Sequence, residues 1–269
     1  MNNILISHES PIELFEDSLN YNDYQYCLYH LYLKNNKYKD FFDKCRSKNI
    51  EIILDNSAFE FAHTNEQFNE DDYVKCINEL NPTTFIVPDV MDDGYKTCIQ
   101  YNDFIKKYPN LLQNKMGIIQ GKTYNEIVEC YKYLSDNADY IGFNHSSIFY
   151  NVIGQGYTID KRKSDGRIRL IKMLINDGIW NWNKPHHLLG VQLPQEFSFY
   201  KNNNIYNIRS IDTSNPIMAG INNEYYSSTL GLNKKPSGLL ADNIELHVSD
   251  DQREAIIYNI NCFKKIVNG

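Results

Sequence analysis

Thr84-Phe85-Ile86-Val87-Pro88-Asp89 and Met116-Gly117-Ile118-Ile119-Gln120-Gly121 are short apolar runs, each closed by a polar residue at a turn. Runs of this length, β-branched and ended by Pro or Gly, read as buried strands rather than helices. Outward from them the same signature recurs at 4–7, 51–54, 140–143, 187–191 and 205–211, with a weaker run near 239–248. The intervening stretches carry a different period. Residues 38–48 put Phe41, Phe42 and Cys45 on one side, 71–80 repeat Tyr73, Val74, Ile77 and Leu80, and 124–134 repeat Ile127, Val128, Tyr131 and Leu134. These are i, i+3, i+4 spacings of one buried helical face. Residues 166–175 and 251–267 behave likewise, the latter opened by the cap residues Ser249 and Asp250. Strand–helix alternation without a linker, a low-complexity tract or an internal repeat predicts an α/β fold. The expected architecture is a single (β/α)8 TIM-type barrel over 1–269, with 146–165 as a loop or insertion at its mouth. An open α/β sheet is the other arrangement compatible with the pattern.

The 269 residues are 42% hydrophobic and 23% charged, enough to bury a full core and too apolar for intrinsic disorder. The apolar runs fall far short of the roughly 20 residues that span a bilayer. The opening Met1-Asn2-Asn3-Ile4-Leu5-Ile6-Ser7 has neither a basic segment nor a cleavable apolar one, which predicts a first strand and a cytoplasmic protein. The six cysteines lie far apart, without a CxxC pair, so they read as reduced structural thiols and no metal is expected. A formal charge of −7 argues against non-specific coating of nucleic acid. One local exception is the stretch 160–172, where Lys161, Arg162, Lys163, Arg167, Arg169 and Lys172 face only Asp160 and Asp165. It reads either as a phosphate-contacting surface or as a solvated helix start.

In a parallel α/β barrel the reactive residues follow the C-terminal ends of strands. Asp55, Asp89, Gln120 and Asp212 occupy such positions. Each Asp alone is also a common helix cap. Taken together, paired carboxylates suit glycosyl chemistry: one attacks or stabilises an oxocarbenium-like C1′, and another protonates the leaving group.

Four segments sharpen this. Asp55-Asn56-Ser57-Ala58-Phe59-Glu60 resembles the Asp-Ser-Gly-Gly-Phe-Gln segment of tRNA-guanine transglycosylases, Gly117 to Gly121 resembles their Gly-Ile-Val-Gln-Gly, and Leu188-Leu189-Gly190-Val191 resembles their Leu-Met-Gly-Val. Ile211-Asp212-Thr213 occupies the place of the family's nucleophile segment. The resemblance implies that Asp212 is a nucleophile and Asp55 a general acid/base. It also implies that Asp89 holds a guanine edge, assisted by Gln120 and the Gly142 backbone, with Ser57, Phe59 and Gly190 at the substrate. Members acting on tRNA carry a cysteine-rich zinc site near the C-terminus, where this chain has only Cys262. The layout is closer to the zinc-free phage and bacterial enzymes that place 7-deazaguanines in DNA. The expectation is therefore replacement of guanine in DNA, or alternatively in tRNA, by a 7-deazaguanine without a cofactor. Lys161, Arg162, Lys163, Arg167 and Arg169 would contact phosphates. A small-molecule nucleoside N-glycosyl hydrolase or transferase, and a catalytically silent nucleic-acid-binding barrel, are the readings from other classes.

Overall fold

The computed structural model describes residues 3–269 except 65, 206, 230, 233, 235, 237, 239 and 241–243. Its eight strands are β1 (Leu5–His8), β2 (Gln25–Leu28), β3 (Ile52–Asp55), β4 (Thr84–Ile86), β5 (Asn114–Ile119), β6 (Tyr140–Phe143), β7 (His186–Leu188) and β8 (Ile208–Thr213). They are parallel and ordered β1-β8-β7-β6-β5-β4-β3-β2, with helices between successive strands. That is the all-parallel sequential order of the (β/α)8 TIM-type class.

The chain divides into two compact units, one of Met1–Asp23, Tyr150–Trp180 and His186–Gly269, the other of Tyr24–Phe149 with Asn181–Pro185. The second unit holds β2 to β6 in register, with Leu28 beside Asp55, Ile86 beside Met116 and Ile118 beside Gly142. Its helices start where a side chain can satisfy the free N–H groups of the first turn. Asn35, Asn69, Asp93 and Thr123 each accept from a backbone N–H two or three residues on. Tyr29 packs on Tyr73 with ring centroids 4.9 Å apart, under an aromatic layer completed by Phe68 and Phe104.

In the first unit β1 pairs with β8, and β7 pairs with β8 across a register shift at His186/His187. The helices Asn215–Ile221 and Asp250–Asn268 pack around Ile217, Ile256 and Ile260. Gly220 permits the approach, since a Cβ there would lie 2.4 Å from Ile256 Cγ1. Ser249 opens the last helix with a reciprocal capping box to Gln252.

Three expectations change. Strand β2 was not anticipated, because Gln25–Leu28 runs directly into the helix Tyr29–Lys34 with no Gly or Pro between them. The weak strand near 239–248 falls partly outside the described residues, and 244–248 form a turn and irregular chain. The segment 146–165 is no open loop: it contains the helix Ile148–Ile153 and the start of Ile159–Asn176.

Candidate functional site

Both units assemble carboxylates at strand ends. In the second unit, Asp89 follows β4 after Pro88, and each of its oxygens takes one side-chain amide. Asn56 Nδ2 donates to Oδ1 at 2.8 Å, and Gln120 Nε2 donates to Oδ2 at 2.6 Å. The amide orientations follow from their other ends. Asn56 Oδ1 accepts from Ala58 N–H, and Gln120 Oε1 accepts from Asp92 N–H and Asn144 Nδ2, so both NH₂ groups are left for Asp89. Burial pushes the Asp89 carboxyl above the ordinary carboxylate range, and the two amide bonds only partly offset it.

Asp89 and Asn56 lie on the wall of a cavity of about 340 Å³ whose remaining lining is largely apolar, with Phe61, Phe68, Pro88, Val90 and Met91. A concave, apolar site with a few fixed polar groups is the usual form of a small-molecule pocket.

Asp55 is differently engaged. Tyr26 Oη donates to its Oδ2 at 2.5 Å, and the Ser57 N–H donates to its Oδ1 at 2.5 Å. The second bond is a helix-entry contact of the kind the cap reading describes. Ser57 has φ +57° and is fully buried, with its Oγ 2.9 Å from His30 Nδ1. Its side chain is thus held within the turn by His30. Phe59 is 42% exposed on the helix Ala58–His63, its ring against His63. Gly142 sits buried within β6, its backbone in the sheet.

In the first unit, Asp212 on β8 is almost fully buried and accepts from two sources. His187 Nε2 lies 3.0 Å from Oδ1, and the Gly190 N–H donates to Oδ2 at 3.0 Å and to Oδ1 at 3.2 Å. With Asp212 as a carboxylate, His187 donates through Nε2 and its Nδ1 accepts from Ser210 Oγ at 2.8 Å. His187 and Ser210 are register partners on adjacent strands, and Ser210 and Asp212 share one face of β8 by the two-residue period. Gly190 adopts φ +58°, which turns the chain out of β7 after Leu188 and shortens the expected 187–191 strand. Gly190 thus acts on Asp212.

The basic stretch is corrected in part. Arg167 does not belong to an exposed surface: it is fully buried and paired with Glu196, Nη2 to Oε1 at 2.5 Å. Arg169 pairs with Asp165 at 2.6 Å. Lys161, Arg162 and Lys163 lie in the first turn of Ile159–Asn176, partly exposed, behind the Thr158 cap. Helical period explains the split, since position 167 faces the core while 161 to 163 do not all do so.

Sequence reasoning passed over Asn56, Asn144 and Tyr26 as partners, whereas His187, beside a strand, was legible as a hydrogen-bonded histidine. Asn56 was legible as a second polar residue at a strand end, whereas Tyr26 lay in the unanticipated β2. Among the described residues, no group of three or more His, Cys, Asp and Glu converges as a metal site, and no helix is long and apolar enough to cross a membrane.

No family model and no curated protein matches the chain. Among solved structures, protein CitE from Mycobacterium tuberculosis, in complex with magnesium and acetate, aligns at TM-score 0.42 and 5% identity over 78% of this chain and 86% of its own. An enolase from alpha proteobacterium bal199 with bound Mg aligns at TM-score 0.43 and 10% identity over 87% of this chain, which spans 61% of that enolase.

Proposed function

We propose that the chain is a base-exchange glycosyltransferase that replaces guanine in a polynucleotide, DNA in the first instance, with a 7-deazaguanine. The observation that carries the reading is Asp89. Asn56 and Gln120 hold one oxygen each by a side-chain amide, and the carboxylate, an acceptor with capacity beyond these two bonds, lies on the wall of an apolar cavity. Guanine and 7-deazaguanine present the complementary pair of donors, N1–H and the exocyclic amine, on a flat apolar ring.

Asp212 is the nucleophile. Its Oδ2 bonds to C1′ as the C1′–N9 electron pair passes to the departing guanine, which takes up a proton. The incoming base gives up a proton, its N9 bonds to C1′, and the Asp212–C1′ bond breaks, restoring the carboxylate. Asp55 is the general acid/base that the resemblance implies. Tyr26, donating to Asp55, holds it in place. The target nucleotide leaves the base stack first, because its base edge and C1′ are not both reachable within a duplex.

The test incubates the protein with guanine-containing DNA, tRNA and radiolabelled 7-deazaguanine bases, and follows label incorporation by nucleoside mass spectrometry. Incorporation into DNA with release of guanine supports the reading. Incorporation only into tRNA reassigns the polynucleotide. Release of free base without incorporation points instead to the N-glycosyl hydrolase.

A further inference from the structure

We propose that Arg167 is a positioning residue for Asp212, acting through the single peptide bond that joins Leu189 to Gly190. The inference rests on the nucleophile role of Asp212 given above. Arg167 Nη1 donates to the Leu189 carbonyl at 2.8 Å, while the N–H of the same peptide group, on Gly190, donates to both oxygens of Asp212. A trans peptide is planar, with its C=O and N–H pointing in opposite directions. Fixing the carbonyl on one side therefore aims the N–H on the other.

The peptide needs holding. Gly190, at φ +58°, is the least restricted residue type, and a rotated peptide would present the Leu189 carbonyl to the Asp212 carboxylate instead of a donor. The neighbouring chain is pinned as well: Val191 N–H donates to the Asp212 carbonyl, and Thr213 Oγ1 donates to the Val191 carbonyl. Arg167 alone among these side chains grips the Leu189 carbonyl, and its cationic donor polarises the peptide toward Asp212.

Stability does not account for the arrangement. Arg167 and Glu196 are both fully buried, yet among the described residues Arg167 Nε and Glu196 Oε2 have no hydrogen-bond partner. A buried ion pair with orphaned atoms is often no more stabilising than a well-packed apolar replacement. What the pair supplies is direction, a planar fork with one prong on Glu196 and the other on Leu189.

Two variants test this. R167K keeps a charge beside Glu196 but lacks the fork; R167M/E196M removes both charges together and leaves none unpaired. The first readout is the Gly190 amide in ¹H–¹⁵N spectra, expected downfield in the wild type because its N–H donates to the Asp212 carboxylate. In both variants it should move upfield. The second is exchange kinetics, where kcat should fall about 10- to 100-fold with KM for the base unchanged. A folded R167M/E196M protein, or a folded R167K protein if the double variant does not fold, with a wild-type Gly190 resonance and wild-type kcat overturns the proposal. A wild type without exchange activity overturns the glycosyltransferase reading, and with it the catalytic purpose of the relay. The Gly190 resonance then decides separately whether Arg167 orients the peptide.

Discussion

Asp212 and Asp89 both stand at the ends of parallel strands, and they are held by opposite kinds of group. Asp212 is gripped by a backbone N–H and by a histidine whose second nitrogen is tied to Ser210, all short and stiff and carried on β7, β8 and the turn between them. Asp89 is held by the side-chain amides of Asn56 and Gln120, whose other ends are anchored in the loops after β3, β4 and β5. The first arrangement holds both oxygens from one side, Oδ1 by the ring and both by a single backbone N–H, which suits a carboxylate of fixed orientation. The second holds each oxygen by a separate side chain on the wall of a cavity, which suits reading an edge. The difference teaches that a carboxylate's role is set by the geometry of its donors rather than by its position at a strand end.

Separating the two by mutation is the strongest way to break this comparison. D212N keeps the shape and removes the nucleophilic charge, so exchange should fall about 10⁴-fold or more, with binding of free base retained. A denaturation-resistant adduct with guanine-containing polynucleotide should form with wild type and be absent from D212N. Near-normal exchange in D212N would return Asp212 to a structural role and make Asp89 the first suspect as nucleophile.

The reverse split is expected of D89N. Its single carbonyl cannot accept both guanine donors, and its NH₂ group confronts an amide of Asn56 or Gln120. Base affinity measured by calorimetry should weaken about 100-fold, with a much smaller fall in turnover at saturating base. Equal losses in kcat and affinity would mean that Asp89 also takes part in the chemistry.

The pH dependence sharpens the same distinction. Asp89 must be ionised to accept both donors, and burial raises its pKa, so base affinity should fall on acidification at a higher pH than an ordinary aspartate imposes, by up to about tenfold per pH unit. Its contribution to stability runs the other way. The folded state holds this proton more tightly than the unfolded chain does, so that contribution is largest below the ordinary aspartate value of about 3.9 and declines as pH rises through the raised pKa. Calorimetric affinity of the wild type should therefore fall on acidification, while the difference in thermal midpoint between wild type and D89N should shift in favour of the wild type.

The smallest effect is expected from the partly exposed cations. Replacing Lys161, Arg162 and Lys163 together with Ala should weaken DNA binding only a few-fold at moderate salt, with the log–log salt slope flattened by up to about 0.9 per lost phosphate contact. Free-base affinity should not change. An unaltered slope would make this turn a solvated helix start, as the pairing of Arg169 with Asp165 already makes its neighbour.

Local pattern carried much of the fold. Short apolar runs and the 3.6-residue period located seven of the eight strands and the major helices between them, because strands buried on both faces are apolar throughout and each helix writes its buried face into its own residues. The same logic marked Asp55, Asp89, Gln120 and Asp212 as strand-end polar residues. It failed at Gln25–Leu28, where strand passes into helix without a breaker and Tyr26 was lost with it. It also treated Arg167 as one more cation in a basic run, because charge counting is blind to which side of a helix a residue occupies. Which carboxylate is held by a ring, which by amides and which by a phenol depends on pairs far apart in the chain: His187 with Asp212, Asn56 with Asp89, Arg167 with Leu189. Sequence by itself determined the periodic elements and the chemistry available at their ends. Only tertiary structure decided the donors around each carboxylate, because hydrogen-bond direction is set by strand register and turn conformation, and neither is a property of any single segment.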